Sequence, residues 1–542
     1  MKRAKVLIGL TMVLLLSACG TSANTQNSET GTNTSGAKST SAGSKIITVG
    51  ITNTIAGANP INSMDDPLIA DIIFPPLVLP NEELSFDMML AEEVNTTDHQ
   101  NFTVNLRENA KWTDGEALTA DDVLFSAKLI ADTNVIAASG QGFNLLQGMD
   151  DKGKLEAGAS IDQAVEKSDD HTLIFHMKNA VDTNLFLEKI GINLRAVPEH
   201  ILKDVNPAEV NKDPYMINPT VSYGAFSLKE NAKDQYFELA ANPDYFLGAP
   251  KIDSLFIKIL PSANIVAQLK SGELNMNYPS KGNIAPEDYA TVEAMDNVRV
   301  VTGKPLSIQS LFMNTKRISD ARVRQAIVLA FNRELITKNL LRGYGKVIDA
   351  PYTSIHPYFD SGLTLTPYDP DKAKQLLQEA NYDFSQTLSL VVPTGNKVRE
   401  QAADILAENL KDIGVKVKVD KFDFVTAANK ASVEHDFDLA MFGSTITIDP
   451  DISGTYASGA LYNFGEYSNP EIDDLLRKGA AETDSAKRKE IYYTIQQILV
   501  RDMPSVTIYE QNTFNAVSKN VLVGEPKAIG MMNNVNEWDI AE

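Results

Sequence analysis

Two hydrophobic periods alternate along most of this chain. Phe102-Thr103-Val104-Asn105-Leu106-Arg107 puts apolar residues at every second position, the mark of a strand with one buried face. Val415-Lys416-Val417-Lys418-Val419 alternates more strictly and predicts a half-exposed strand. Lys45 to Ile51, His171 to Met177, Leu255 to Leu260, Asp438 to Met441 and Val506 to Tyr509 also read as strands, and Val221–Leu228 with Tyr236–Leu239 as a pair. Helical spacing separates them. Thr119, with Asp122 three residues on, approximates a capping box ahead of the stripe Val123, Leu124, Ala127 and Ile130. Asp369-Pro370 opens a helix that turns Leu376, Leu377 and Ala380 inward. Val398 to Ile413 is the most regular amphipathic helix, and Gly414 stops it. Shorter helices are expected at Val181–Ile190, Asn264–Lys270, Arg322–Phe331, Pro470–Leu476 and Ser485–Val500. Interleaved strands and helices predict an α/β fold, most clearly in the second half.

Two stretches at the start stand outside this alternation. Lys2, Arg3 and Lys5 precede a mainly apolar run from Val6 to Leu16, too short to span a membrane and suited to a secretory signal. It closes on Leu16-Ser17-Ala18-Cys19, which resembles the bacterial lipobox, whose cysteine takes a diacylglycerol and becomes the new N-terminus. Residues 1–18 are therefore expected to be a lipoprotein signal peptide, with Cys19 the lipid attachment site. That puts the protein on the extracellular face of a cell membrane, as on a Gram-positive surface. Cys19 is the only cysteine, so an intramolecular disulfide is excluded. Gly20 to Ser44 is almost all Ser, Thr, Asn, Gly and Ala, so residues 19–44 read as a flexible tether with a reach of roughly 25–30 Å.

Composition narrows the partners. Removing residues 1–18 from 542 leaves 524, and the loss of their three cations takes the net charge from −22 to −25. A surface this acidic repels nucleic acid and anionic lipid headgroups, so neither is an expected partner. Hydrophobic residues at 43% are enough for several buried cores.

Catalytic signatures are missing: there is no GxSxG, HExxH or GxxxxGK[ST]. Of six scattered histidines only His171 and His176 are near neighbours, and their odd spacing puts them on opposite strand faces. Asp121-Asp122 and Asp473-Asp474 sit at helix starts, where the dipole favours them. No enzyme activity, cofactor or metal is expected.

Four blocks instead resemble the family 5 extracellular solute-binding proteins, the peptide receptors of ABC importers. They are Asn105-Leu106-Arg107 through Lys111-Trp112-Thr113-Asp114-Gly115 to Val123; Gly224 through Asn242-Pro243-Asp244-Tyr245-Phe246 to Leu274; Met313-Asn314-Thr315-Lys316 with Asp320 to Ala326; and Tyr467-Ser468-Asn469-Pro470-Glu471-Ile472-Asp473. The resemblance implies a two-lobed α/β clamp of the periplasmic-binding-protein type, with an extra domain inserted in the first lobe. The first lobe would comprise residues 45–78, 203–302 and 511–542, the extra domain 79–202 and the second lobe 303–510. Hinges are expected near Thr302–Gln309 and Tyr509–Asn512. The implied activity is capture of oligopeptides, largely by their backbone, for delivery to importer permease subunits. A receptor for a signalling peptide is the alternative, and a nickel chelate, haem or an oligosaccharide are less favoured ligands.

Ligand contacts are expected from loops at strand ends. The candidates are Asn62 and Asp65 in the first lobe, and Gly395, Asn396, Phe442, Asp449 and Asp451 in the second. Gly395 and Asn396 stand at a helix start, suited to a peptide carboxyl or carbonyl. One departure from the family pattern is informative. Receptors of this family often hold the ligand's ammonium with the Asp of a Trp-x-x-Asp stretch shortly before a Pro. Matching that Pro to Pro450 puts Gly443 and Ile446 at those positions, and neither side chain can do that work. Either Asp449 or Asp451 takes over, or the amine is not buried and longer peptides protrude; the second reading is preferred.

Overall fold

Ile46–Ile51 is a strand whose last five residues are all buried, as expected where a sheet is covered on both faces. It pairs in parallel with Ser254–Ile259 and with Met276–Asn277. This is a computed structural model. It describes residues 44–542 except 53, 54, 56, 63–66, 280, 446 and 542, and not the side chain of Gln141. The signal segment, Cys19, nearly all of the tether, and Asp65 lie outside the described residues.

The main sheet runs in the order Lys416–Phe422, Thr387–Pro393, Leu439–Thr445, Val298–Met313, Ser505–Ser518, Met276–Asn277, Ile46–Ile51, Ser254–Ile259, Tyr236–Ala241, Phe226–Ala232. The first three strands are mutually parallel and form the heart of one lobe. The helix Lys397–Asp412 lies against them, burying Val398, Ala402, Leu406 and Leu410 with Leu390, Val392 and Met441. Gly414, at φ 91°, follows its end in the left-handed conformation that favours glycine. The core of the other lobe gathers Ile47, Val49 and Ile51 with Leu255 and Ile257. Each such side chain is worth about 1.5–3 kcal/mol when fully buried.

Val298–Met313 and Ser505–Ser518 run antiparallel through both lobes, with register breaks at Thr302/Pro305, Pro305/Ser307 and Gln309/Ser310. Pro305 has no N–H to give the ladder, which accounts for an interruption there. Apolar alternation marks only Val506–Tyr509 in the second of these strands. It continues for another nine residues because the polar residues Glu510, Gln511 and Asn512 still pair with Ile308, Ser307 and Pro305 of the long partner.

A four-stranded antiparallel sheet, Ala91–Asn95, Asn101–Leu106, Thr172–His176 and Val165–Asp169, carries the helix Ala120–Ala131. Thr119 and Asp122 form the expected capping box, worth about 1 kcal/mol. Asp122 goes further, since its buried carboxyl also accepts from Trp112 Nε1 at 3.4 Å and Glu199 N at 3.1 Å. The family-like block around Trp112 is thus a folding device. Phe102 stacks on Phe186 at 4.1 Å, tying this sheet to the helix Thr183–Phe186. That helix widens into a π turn, Leu187–Gly191, short of the regular helix expected to Ile190.

Candidate functional site: the interlobe cleft

In open parallel sheets ligands bind beyond the carboxyl ends of the strands. The second lobe ends its parallel strands at Pro393, Phe422 and Thr445, and the first at Ile51, Ile259 and Asn277. The segments beyond these ends meet across the cleft. Lys397, opening the helix after Pro393, reaches Glu287 beyond Asn277 at 2.7 Å, an exposed pair of small energetic weight. On another edge, Glu188 Oε2 accepts the N–H groups of Ile448 at 2.9 Å and Asp449 at 2.7 Å. The Ile448 side chain packs with Leu84 and Leu306. Leu84 is held at φ 54°, in the hairpin turn between Val78–Pro80 and Phe86–Met88.

The same edge holds a buried ion cluster. Arg488, fully buried, gives two hydrogen bonds to Asp449 at 2.7 and 3.0 Å and one to Gly479 O at 2.8 Å. Its Nη1 also lies 3.1 Å from Asp182, which caps the helix Thr183–Phe186 beside the four-stranded sheet. One guanidinium therefore joins the carboxylate that caps the helix Thr183–Phe186 to one in the loop beyond the strand Leu439–Thr445.

The expected ligand residues are distributed as follows. Asn62 is exposed and gives its N–H to Asn59 Oδ1. Gly395 gives its N–H to Glu400 Oε1, and Asn396 caps the helix by accepting Arg399 N. Phe442 is buried against Phe464, with ring centres 4.7 Å apart. Asp449 is committed to Arg488, while Asp451 accepts Ser453 N and Ser453 Oγ, both at 3.0 Å. Asp449 and Asp451 are brought together, as Asp451 N donates to Asp449 Oδ1.

Three further groups collect where the long strands pass between the lobes. Gln309 is paired across the sheet with both Gly443 and Tyr509, and a Cβ on Gly443 would lie 2.1 Å from its amide nitrogen. Gln309 Oε1 and the Tyr509 hydroxyl are buried without a hydrogen-bond partner within the protein. Burial raises the phenol's pKa against the pull of nearby Arg399, so it remains a donor. Arg399 is 8% exposed and spends Nε on Pro393 O at 3.1 Å. Its other nitrogens have the capacity to bind an oxygen from a ligand. Sequence reasoning missed Arg399, Gln309, Tyr509, Glu188 and Arg488. A signal for two was present: Arg399 stands in a helix's first turn, where the dipole disfavours a cation, and Arg488 falls in register with Tyr492, Ile495 and Leu499.

A profile described as "Bacterial extracellular solute-binding proteins, family 5 Middle" matches residues 86–465. The chain belongs to this family. The oligopeptide-binding protein AppA of Bacillus subtilis is 27% identical, the alignment covering all of this chain and 99% of AppA. The structure of that AppA in complex with a nonapeptide covers 92% of this chain and 99% of its own, with a TM-score of 0.75. The substrate-binding protein CtaP of Listeria monocytogenes, 26% identical, gives a TM-score of 0.80 over 92% of this chain and all of its own. The two-lobed α/β clamp and the family expected from the four sequence blocks are both established. Among the described residues no helix is long and apolar enough to cross a membrane.

Proposed function

We propose that this protein captures oligopeptides outside the cell and delivers them to an ABC-type importer, acting by binding alone. The observation that carries the reading is full-length similarity to an oligopeptide-binding protein whose structure holds a nonapeptide in the same fold. A receptor for many sequences must bind what all peptides share, the backbone, and leave side chains in wet, adaptable pockets. Arg399, Gln309 and Tyr509 are the groups we assign to backbone oxygens or a carboxylate. Residues 45–78, 203–302 and 511–542 form the first lobe in this reading, 79–202 the extra domain and 303–510 the second. The register breaks between Thr302 and Ser310 support a hinge there. Because only the shut clamp touches the peptide from both sides, ligand shifts the population towards closure.

The function is tested by mass spectrometry of what co-purifies with protein made in its own host. Peptides are expected; a metal chelate, haem or sugar in their place refutes the reading.

Cys19 is the proposed lipid anchor and residues 19–44 the tether. Cys19→Ala should move the protein from the membrane fraction to the medium or leave its signal uncleaved, since stable attachment needs more than one acyl chain. Unchanged processing and membrane retention of the variant in fractionated cells would reject the anchor.

A further inference from the structure

We propose that Glu188 is a proton-coupled latch, taking up one proton as the lobes close, so that peptide capture strengthens as the medium acidifies. The proposal rests on the clamp reading above and adds a role for a residue outside the peptide-contacting groups. Its basis is geometric. Glu188 is the side chain of the inserted sheet region that clasps the opposite loop by backbone, accepting both Ile448 N and Asp449 N on one oxygen. The Ile448 side chain is seated at the same time on Leu84 and Leu306, so the loop is held by a polar and an apolar contact. Closing the clamp therefore brings this carboxyl into a half-buried position beside Asp449.

The charged groups around Glu188 do not neutralise it. Asp449 faces it from the loop with its carboxylate bound by Arg488, and that guanidinium is shared with Asp182. Lys189, on the same π turn, opposes the burial without making a hydrogen bond to it. His356 touches the loop through Thr447 O at 3.1 Å, and burial pushes its pKa down to about 4, so it stays neutral above that. Glu82, beside Leu84 in the hairpin turn, has Lys527 and Lys304 as its cations. Burial pushes Glu188 from an ordinary 4.5 up to about 7, with the Asp449 charge adding to the rise, against the N–H groups of Asp449 and Ile448 and Lys189, which favour the charged form.

The sign follows from linkage. A carboxyl whose pKa is higher in the closed form binds a proton there that the open form does not hold. This contribution to closure is complete below the open-form pKa and is lost as pH rises through about 7. The added proton goes to Oε1, because Oε2 already accepts two N–H groups and keeps doing so as a carbonyl. Glutamine at this position is the neutral mimic: it keeps the acceptor and cannot titrate.

The test uses the full mature chain and a fixed mixture of synthetic nonapeptides as probe. Between pH 7.5 and 5.5 the apparent affinity should rise about tenfold. Calorimetry in two buffers of different ionisation enthalpy at pH 6 should show uptake close to one proton per binding event. Glu188→Gln should be flat across this range and should bind at pH 7.5 as tightly as the unmodified protein does at pH 5.5. Spin labels on exposed positions of the two lobes read the closed fraction without peptide, which should also rise on acidification. Retention of the full pH dependence by Glu188→Gln, or no proton uptake on binding, overturns the latch. A pH-dependent closed fraction in protein that takes no peptide keeps the latch and refutes the peptide reading instead.

Discussion

Arg488→Met should lower the free energy of unfolding by about 3–5 kcal/mol, the usual cost of stripping one partner from a buried ion pair. Arg488 is completely buried, and Asp449 is 2% exposed, so no water replaces the missing guanidinium. The substitution keeps most of the volume and leaves Asp449 and Asp182 as buried carboxylates with a lost partner. Urea denaturation followed by circular dichroism measures the loss. Adding Asp449→Asn to Arg488→Met should recover part of it, because the charge that had become unpaired is then gone. A loss below about 1 kcal/mol for the single variant would mean the cluster contributes little.

Arg399→Met should weaken peptide binding by about ten- to a hundredfold with little change in fold. A hydrogen bond to a charged donor contributes about 1.5–3 kcal/mol, and 1.4 kcal/mol is tenfold in affinity. Arg399 gives one nitrogen to Pro393 O and faces the region of Tyr509 and Gln309, whose buried polar atoms lack protein partners. The other end of the ligand should behave differently. Asp449 is already paired with Arg488, and each oxygen of Asp451 already accepts from Ser453, so neither carboxylate is poised for an ammonium as an unengaged one would be. N-acetylation of a bound nonapeptide should therefore change its dissociation constant by less than about tenfold. Titration calorimetry reads both numbers. A hundredfold loss on acetylation, abolished by Asp451→Asn, would show that the amine is held after all.

The two kinds of inference from sequence fared differently for a physical reason. Periodicity reports the relation of a residue to its own element, and Phe102 to Arg107, the Thr119–Asp122 box and the helix beginning near Val398 all came out as elements close to their expected limits. Periodicity fails where polar residues are paired by a distant strand, as in Glu510 to Asn512. The loop residues Gly395 and Asn396 were legible as a helix start, and much of their hydrogen bonding goes to that local task.

The chain alone therefore determined the class of fold through its turns, caps and alternating faces, which are local properties, and its four family-like blocks carried the expectation of a clamp. Only the tertiary structure decided which carboxylates are spent and which polar groups are left over. Glu188 and Asp449 are 261 residues apart, and Arg488 lies 39 residues beyond Asp449. Nothing in either neighbourhood announces the partner. Arg488 meets Asp449 through the packing of sequence-distant elements, and Glu188 meets the same loop from a third, so their chemistry is set by desolvation and charge that only tertiary contacts supply.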